Sequence, residues 1–216
     1  MPKRALIEHR PWLLASITAA ILYYFLWNNP IGGVWLIALK GSTAALLAAY
    51  AWRRTRGTDA MLLVAVLAIS ALADMAIELS FAVGGALFAA AHLVAIALYL
   101  RNRRERSVWS QRLTALAFLV LAPAIAWGLS GRADIALYGL VLGAMVGAAW
   151  ISRFPRYRVG LGAVLFLASD WLIFGRLGPF DLAPIADVLV WPLYYAGQLM
   201  IATGVVQTLR GERPRR

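Results

Sequence analysis

Long apolar runs alternate with short, arginine-bearing gaps from one end of the chain to the other. A helix crossing a bilayer needs about 20 mostly apolar residues, because hydrocarbon offers no partner to an exposed backbone group. Eight runs approach that length, over residues 12–27, 34–52, 60–79, 81–100, 113–129, 135–150, 159–174 and 185–206. The pattern predicts an all-α, polytopic membrane bundle of eight transmembrane helices, forming a single integral membrane domain over residues 1–216. The gap around Ser80 is nearly absent, so the third and fourth spans should make a tight antiparallel hairpin. Gly139, Gly143 and Gly147 recur every four residues, a smooth strip on which a second helix can lie closely. Pro123 and Pro192 fall inside spans and should kink them, while Trp35, Trp127, Trp150, Trp171 and Trp191 fall near span ends, as an interfacial aromatic belt would. There is no soluble domain and no internal repeat. The first apolar run follows charged residues without an A-x-A-like cleavage site, so it is expected to be retained.

Composition agrees with that picture. Of 216 residues, 62% are hydrophobic and only 14% charged, against about 25% charged in soluble domains. The 21 basic and 10 acidic residues leave a net charge of +11. That excess does not indicate nucleic-acid binding, because the arginines punctuate apolar segments instead of lining one face. Eighteen of the basic residues fall on one side of an eight-span layout, in the N-terminus, the second, fourth and sixth loops and the C-terminus. Arg132 and Arg176 alone fall on the other side, and Lys40 lies within a span. The positive-inside rule then puts both termini in the cytoplasm, in the inner (cell) membrane of a bacterium. The chain has no cysteine and only two histidines, His9 and His92. Disulfides, thiolate metal sites and multi-histidine zinc centres are thereby excluded, and no metal or cofactor is expected.

A charge at mid-membrane costs about 2.5–3.5 kcal/mol or more, so each one needs a reason. Lys40, Asp74, His92 and Asp170 are the candidates, with Glu78 one helical turn beyond Asp74 and equally readable as a rim residue. At about 1.5 Å per residue, Lys40, Asp74, His92, Asp170 and Tyr195 fall between about 6 and 17 Å below the outer surface. Five side chains from five helices at one depth suit a shared cavity. One lysine serves two aspartates here, leaving one carboxyl group poorly compensated and suited to proton donation. A register-setting ion pair of Lys40 with an aspartate is the plainer alternative. On the last span Gln198 adjoins Tyr194 or Tyr195, for packing or for substrate contact.

These residues also resemble a known family. Phe88-x-x-x-His92 preceded by Gly85, the segment Phe166-Leu-Ala-Ser169-Asp170, and Tyr194-Tyr195-Ala-Gly197-Gln198 are similar to motifs of the YhhN family of integral-membrane lysoplasmalogenases. So are the positions of Lys40, of Asp74 after a run of small residues, and of Tyr138 with Met145 seven further on. The likeness runs from about Lys40 to Ile201. It implies hydrolysis of the vinyl ether bond of a lysophospholipid substrate, lysoplasmalogen, to a fatty aldehyde and a glycerophosphobase. Asp74 and Asp170 would be the catalytic acid and base, with Lys40, His92, Tyr195, Gln198, Glu78, Ser169 and Tyr194 in support. The alternative class is a proton-coupled lipid or amphiphile transporter with the aspartates as protonation sites, although the chain lacks the inverted repeat many such proteins carry. The sequence leaves the oligomeric state open.

Overall fold

A computed structural model of the chain describes residues 10–28, 32–106, 108–180 and 182–211. Lys3, Arg4, His9, Arg213, Arg215 and Arg216 lie outside these residues. The apolar runs fold as eight α-helices: α1 (Arg10–Leu26), α2 (Val34–Arg54), α3 (Thr58–Ala76), α4 (Phe81–Arg101), α5 (Trp109–Ser130), α6 (Ala133–Ile151), α7 (Leu161–Leu177) and α8 (Ala183–Gly211). A single π-helical turn, Arg156–Gly160, leads into α7. Seven helices, α2 to α8 with α7 counted from Arg156, are long and apolar enough to cross a membrane. The first, α1, is apolar but has only 17 residues. No strand occurs among the described residues, and the helices are those of a membrane bundle by length and composition.

Helix ends differ from the sequence pattern where local chemistry intervenes. Gly57 adopts φ +98° immediately before α3, and Gly131 adopts φ +66° where it caps the C-terminus of α5; only glycine takes such angles without strain. α5 begins at Trp109 rather than 113, its first turn carrying the buried Gln111. The third span, expected to reach residue 79, stops as a helix at Ala76. Beyond it Ile77 donates its N–H to the Ala73 carbonyl at 2.9 Å, and Ser80 donates to Ala76 at 2.8 Å. Glu78 therefore lies in the turn and not on the helix that carries Asp74.

The chain packs as two compact units, one comprising the chain up to Ala91 with the end of α8 from Leu209, the other His92–Thr208. In the first, the Ser16 hydroxyl of α1 donates to the Thr43 carbonyl of α2 at 2.7 Å. The turn between α3 and α4 is tight, since a Cβ on Gly84 would lie 2.6 Å from the Cα of Ile77.

In the second unit the glycine strip is consumed by α5. A Cβ on Gly139 would come within 2.9 Å of the Ala126 methyl, one on Gly147 within 2.9 Å of the Ala115 carbonyl oxygen, and one on Gly143 would drive into the Phe118 carbonyl. Two arginine-rich loops of the same unit are fastened together. Arg104 donates its backbone N–H to Ile151 at 3.2 Å, and Arg153 reaches the Asn102 carbonyl through its own N–H at 2.8 Å. The Arg153 Nε also donates to the Asn102 side-chain oxygen at 2.6 Å. Burial, and then the neighbouring Arg156 guanidinium, hold Arg104 below the usual arginine range.

The tryptophan belt is only partly observed. Trp35 and Trp127 are exposed, whereas Trp191 is buried against Tyr194 and Tyr195. Trp171 packs on the core of Ala126, Ile135 and Phe174. Both turn inward because large apolar rings are available there to receive them.

Candidate active site

Two polar clusters form, one in each unit. In the first unit α2 carries Lys40, α3 carries Asp74, and the turn after α3 carries Glu78. Lys40 Nζ donates to Glu78 Oε1 at 2.5 Å. The expected partner of the lysine was an aspartate; the early end of α3 brings the glutamate to it instead. Tyr23 of α1, which sequence reasoning did not single out, also donates to Glu78 Oε1, at 3.4 Å. Its ring lies beneath the Lys40 ammonium, 5.6 Å from the centroid. Asp74 is 1% exposed and bears electrostatically on the Tyr23 phenol, as Glu78 does. Glu78 is thus a participant in the first cluster although its side chain is about a third exposed.

The second cluster draws on α4, α6, α7 and α8. His92 opens the second unit's part of α4, Tyr138 projects from α6, Ser169 and Asp170 from α7, and Tyr194 and Gln198 from α8. His92, Ser169, Asp170, Tyr194 and Gln198 are all buried. The Tyr138 hydroxyl donates to Asp170 Oδ2 at 2.8 Å, and its oxygen lies 3.1 Å from His92 Nε2. The Ser169 hydroxyl donates to the Phe166 carbonyl at 2.7 Å and lies 3.4 Å from Asp170 Oδ1. Asp170 makes no ion pair among the described residues; both its polar partners are neutral hydroxyls.

Aromatic rings wall this cluster. Phe166 meets His92 edge-on at 4.9 Å between centroids and Tyr194 at 5.1 Å, while Phe174 closes on Tyr138 at 5.8 Å. Gln198 settles on Tyr194, donating to its hydroxyl at 3.4 Å, and Tyr195 stacks on Trp191. A buried carboxyl group among aromatic edges, held by hydroxyls and backed by an imidazole, can exchange a proton with a bound molecule while excluding bulk water.

Sequence reasoning missed Tyr138 as a site residue and noted it only as a position of family likeness. A phenol inside an apolar run looks like a packing residue, since nothing in the sequence shows where its hydroxyl ends.

The comparisons with known proteins agree with the motifs. The model of the YhhN family matches residues 35–205. Two lysoplasmalogenases, from Mycobacterium bovis and from Mycobacterium tuberculosis, are each 32% identical to this chain, over 77% of its length and 69% of theirs. No solved structure matches. The family match includes Lys40, Asp74 and Glu78 of the first cluster and all of the second, and the chain belongs to the YhhN family.

Proposed function

We propose that this protein is a membrane-embedded hydrolase that cleaves the vinyl ether bond of lysoplasmalogen, releasing a fatty aldehyde and a glycerophosphobase such as glycerophosphoethanolamine or glycerophosphocholine. The observation that carries the reading is a buried carboxyl group, Asp170, whose partners among the described residues are neutral hydroxyls. The kinship with two lysoplasmalogenases supports it.

Vinyl ethers hydrolyse when an acid protonates the outer alkene carbon. The C=C electron pair forms the new C–H bond, and the ether oxygen lone pair produces an oxocarbenium ion. Water then adds as a base takes its proton, and the hemiacetal collapses to aldehyde and alcohol. One acid, one negative charge facing the cation and a water are the requirements, as in two-carboxylate glycosidases. Asp74 and Asp170 supply the two carboxyl groups. In the collapse, the protonated base gives its proton to the departing alcohol oxygen while the spent acid takes the hemiacetal proton, which resets both. Lys40 and Glu78, as an ion pair, suit the zwitterionic or anionic headgroup of the substrate, and Tyr194, Tyr195 and Gln198 would orient lipid or water.

In this reading α1 is the eighth crossing, the eight helices form a single membrane domain, and both termini face the cytoplasm of a bacterial cell. Membrane lipid is both its solvent and the source of its substrate. Purified protein in detergent is expected to release aldehyde from lysoplasmenyl lipid and none from the saturated ether analogue, whose carbons cannot be protonated. Transport of intact lipid across liposomes, with no aldehyde formed, would favour the transporter class and refute the hydrolase.

A further inference from the structure

Tyr138 touches both His92 and Asp170, and its hydroxyl has a single hydrogen. With that hydrogen donated to Asp170 Oδ2 at 2.8 Å, its oxygen can only accept, so the 3.1 Å contact from His92 must come from an Nε2–H. The imidazole thereby fixes the phenol rotor. The Phe166 edge at 4.9 Å and the Phe174 edge at 5.8 Å hold the two rings in place. Asp170 is left with unequal oxygens. Oδ2 is an acceptor from the phenol. Oδ1 faces Ser169 at 3.4 Å, and Ser169 already gives its hydrogen to the much closer Phe166 carbonyl at 2.7 Å.

We propose that Tyr138, locked by His92, is a positioning residue that makes Oδ2 of Asp170 the accepting oxygen and Oδ1 the one that carries and delivers the proton. This assigns Asp170 as the acid, and it rests on the hydrolase reading above. In the step itself the Oδ1–H bond breaks as the C–H bond forms at the outer alkene carbon. The charge left on Asp170 is then stabilised by the phenol hydrogen bond already in place, so no group has to reorient during the reaction. A long Oδ1 contact suits this role, because a tightly held proton would be slow to leave.

The test uses the full-length protein in detergent and two readouts. The first needs no substrate: the infrared carboxyl C=O stretch of Asp170, identified by its loss in Asp170→Asn. That band is expected to shift in Tyr138→Phe and in His92→Leu, and to stay in place in His92→Gln, which keeps an N–H, and in Tyr157→Phe, an exposed residue of the π-helical turn. The second is turnover of lysoplasmenyl lipid. Tyr138→Phe is expected to lower kcat by about 10²-fold, the low end of acid–base effects, with KM within about twofold. His92→Leu should follow it, His92→Gln should stay within about threefold of wild type, and Tyr138→Phe with His92→Leu should be no worse than Tyr138→Phe alone, because residues acting as one unit are not additive. The His92 variants alter the same rotor without touching the phenol, so they decide the matter if Tyr138→Phe fails to fold. An unshifted band in Tyr138→Phe, a carboxylate band in place of a carboxyl one, or a loss confined to KM would overturn the proposal. Absence of aldehyde from the wild type would overturn the hydrolase reading alone, since the infrared comparison still decides whether Tyr138 distinguishes the two oxygens.

Discussion

Asp170→Asn is expected to lower turnover by about 10²–10⁴-fold, the range contributed by a positioned general acid, while the protein stays folded. The amide is nearly isosteric with the carboxyl group and keeps an oxygen that can accept from the Tyr138 hydroxyl at 2.8 Å. It has no acidic proton to give. Stability should change little, because the partners of Asp170 are neutral hydroxyls. Removing one member of a buried ion pair leaves an uncompensated charge and costs about 3–5 kcal/mol, but among the described residues Asp170 has no such partner to be stranded. Thermal unfolding within a few degrees of wild type, beside a collapsed kcat, is the expected pair of results. A variant that turns over near normally would remove Asp170 from the chemistry.

Asp74→Asn is expected to lose activity on the same scale, for a complementary reason. Water adding to the oxocarbenium ion must lose a proton, and the cation needs a negative charge facing it; an amide offers neither. Lys40 is already engaged by Glu78 at 2.5 Å, so neutralising Asp74 does not strip the lysine of its partner. The change therefore leaves the Lys40–Glu78 ion pair in place. Combining the two substitutions should cost no more than the worse of them, because either alone halts the same cycle. If Asp74→Asn lowered turnover only through KM, Asp74 would belong to substrate binding, and the two-acid mechanism would fail.

The architecture was legible in the sequence because a bilayer imposes one rule over the whole chain. Every crossing must be a long apolar helix, so α2 to α8 announce themselves by length and composition. The glycine strip was equally readable as a packing surface, although only the fold shows that α5 fills it. The site was less legible, for a reason of scale. Which partner Lys40 takes depends on where α3 stops, and that is decided by a turn of four residues after Ala76 that helical periodicity extends past without notice. Rarity in an apolar span picked out His92 and Asp170, since a buried charge is costly anywhere. Tyr138, which connects them, is common in such spans and has no such mark. Trp191 misleads in the opposite direction, since nearness to a span end suggests a headgroup contact whereas its ring stacks on Tyr195.

Turnover in heavy water tests the central claim most directly. If a buried carboxyl group protonates the outer carbon of a vinyl ether, wild-type protein incubated with lysoplasmenyl lipid in D₂O releases a fatty aldehyde bearing one deuterium on the carbon next to the carbonyl. Aldehyde without that deuterium, or lipid consumed without aldehyde, would contradict the account.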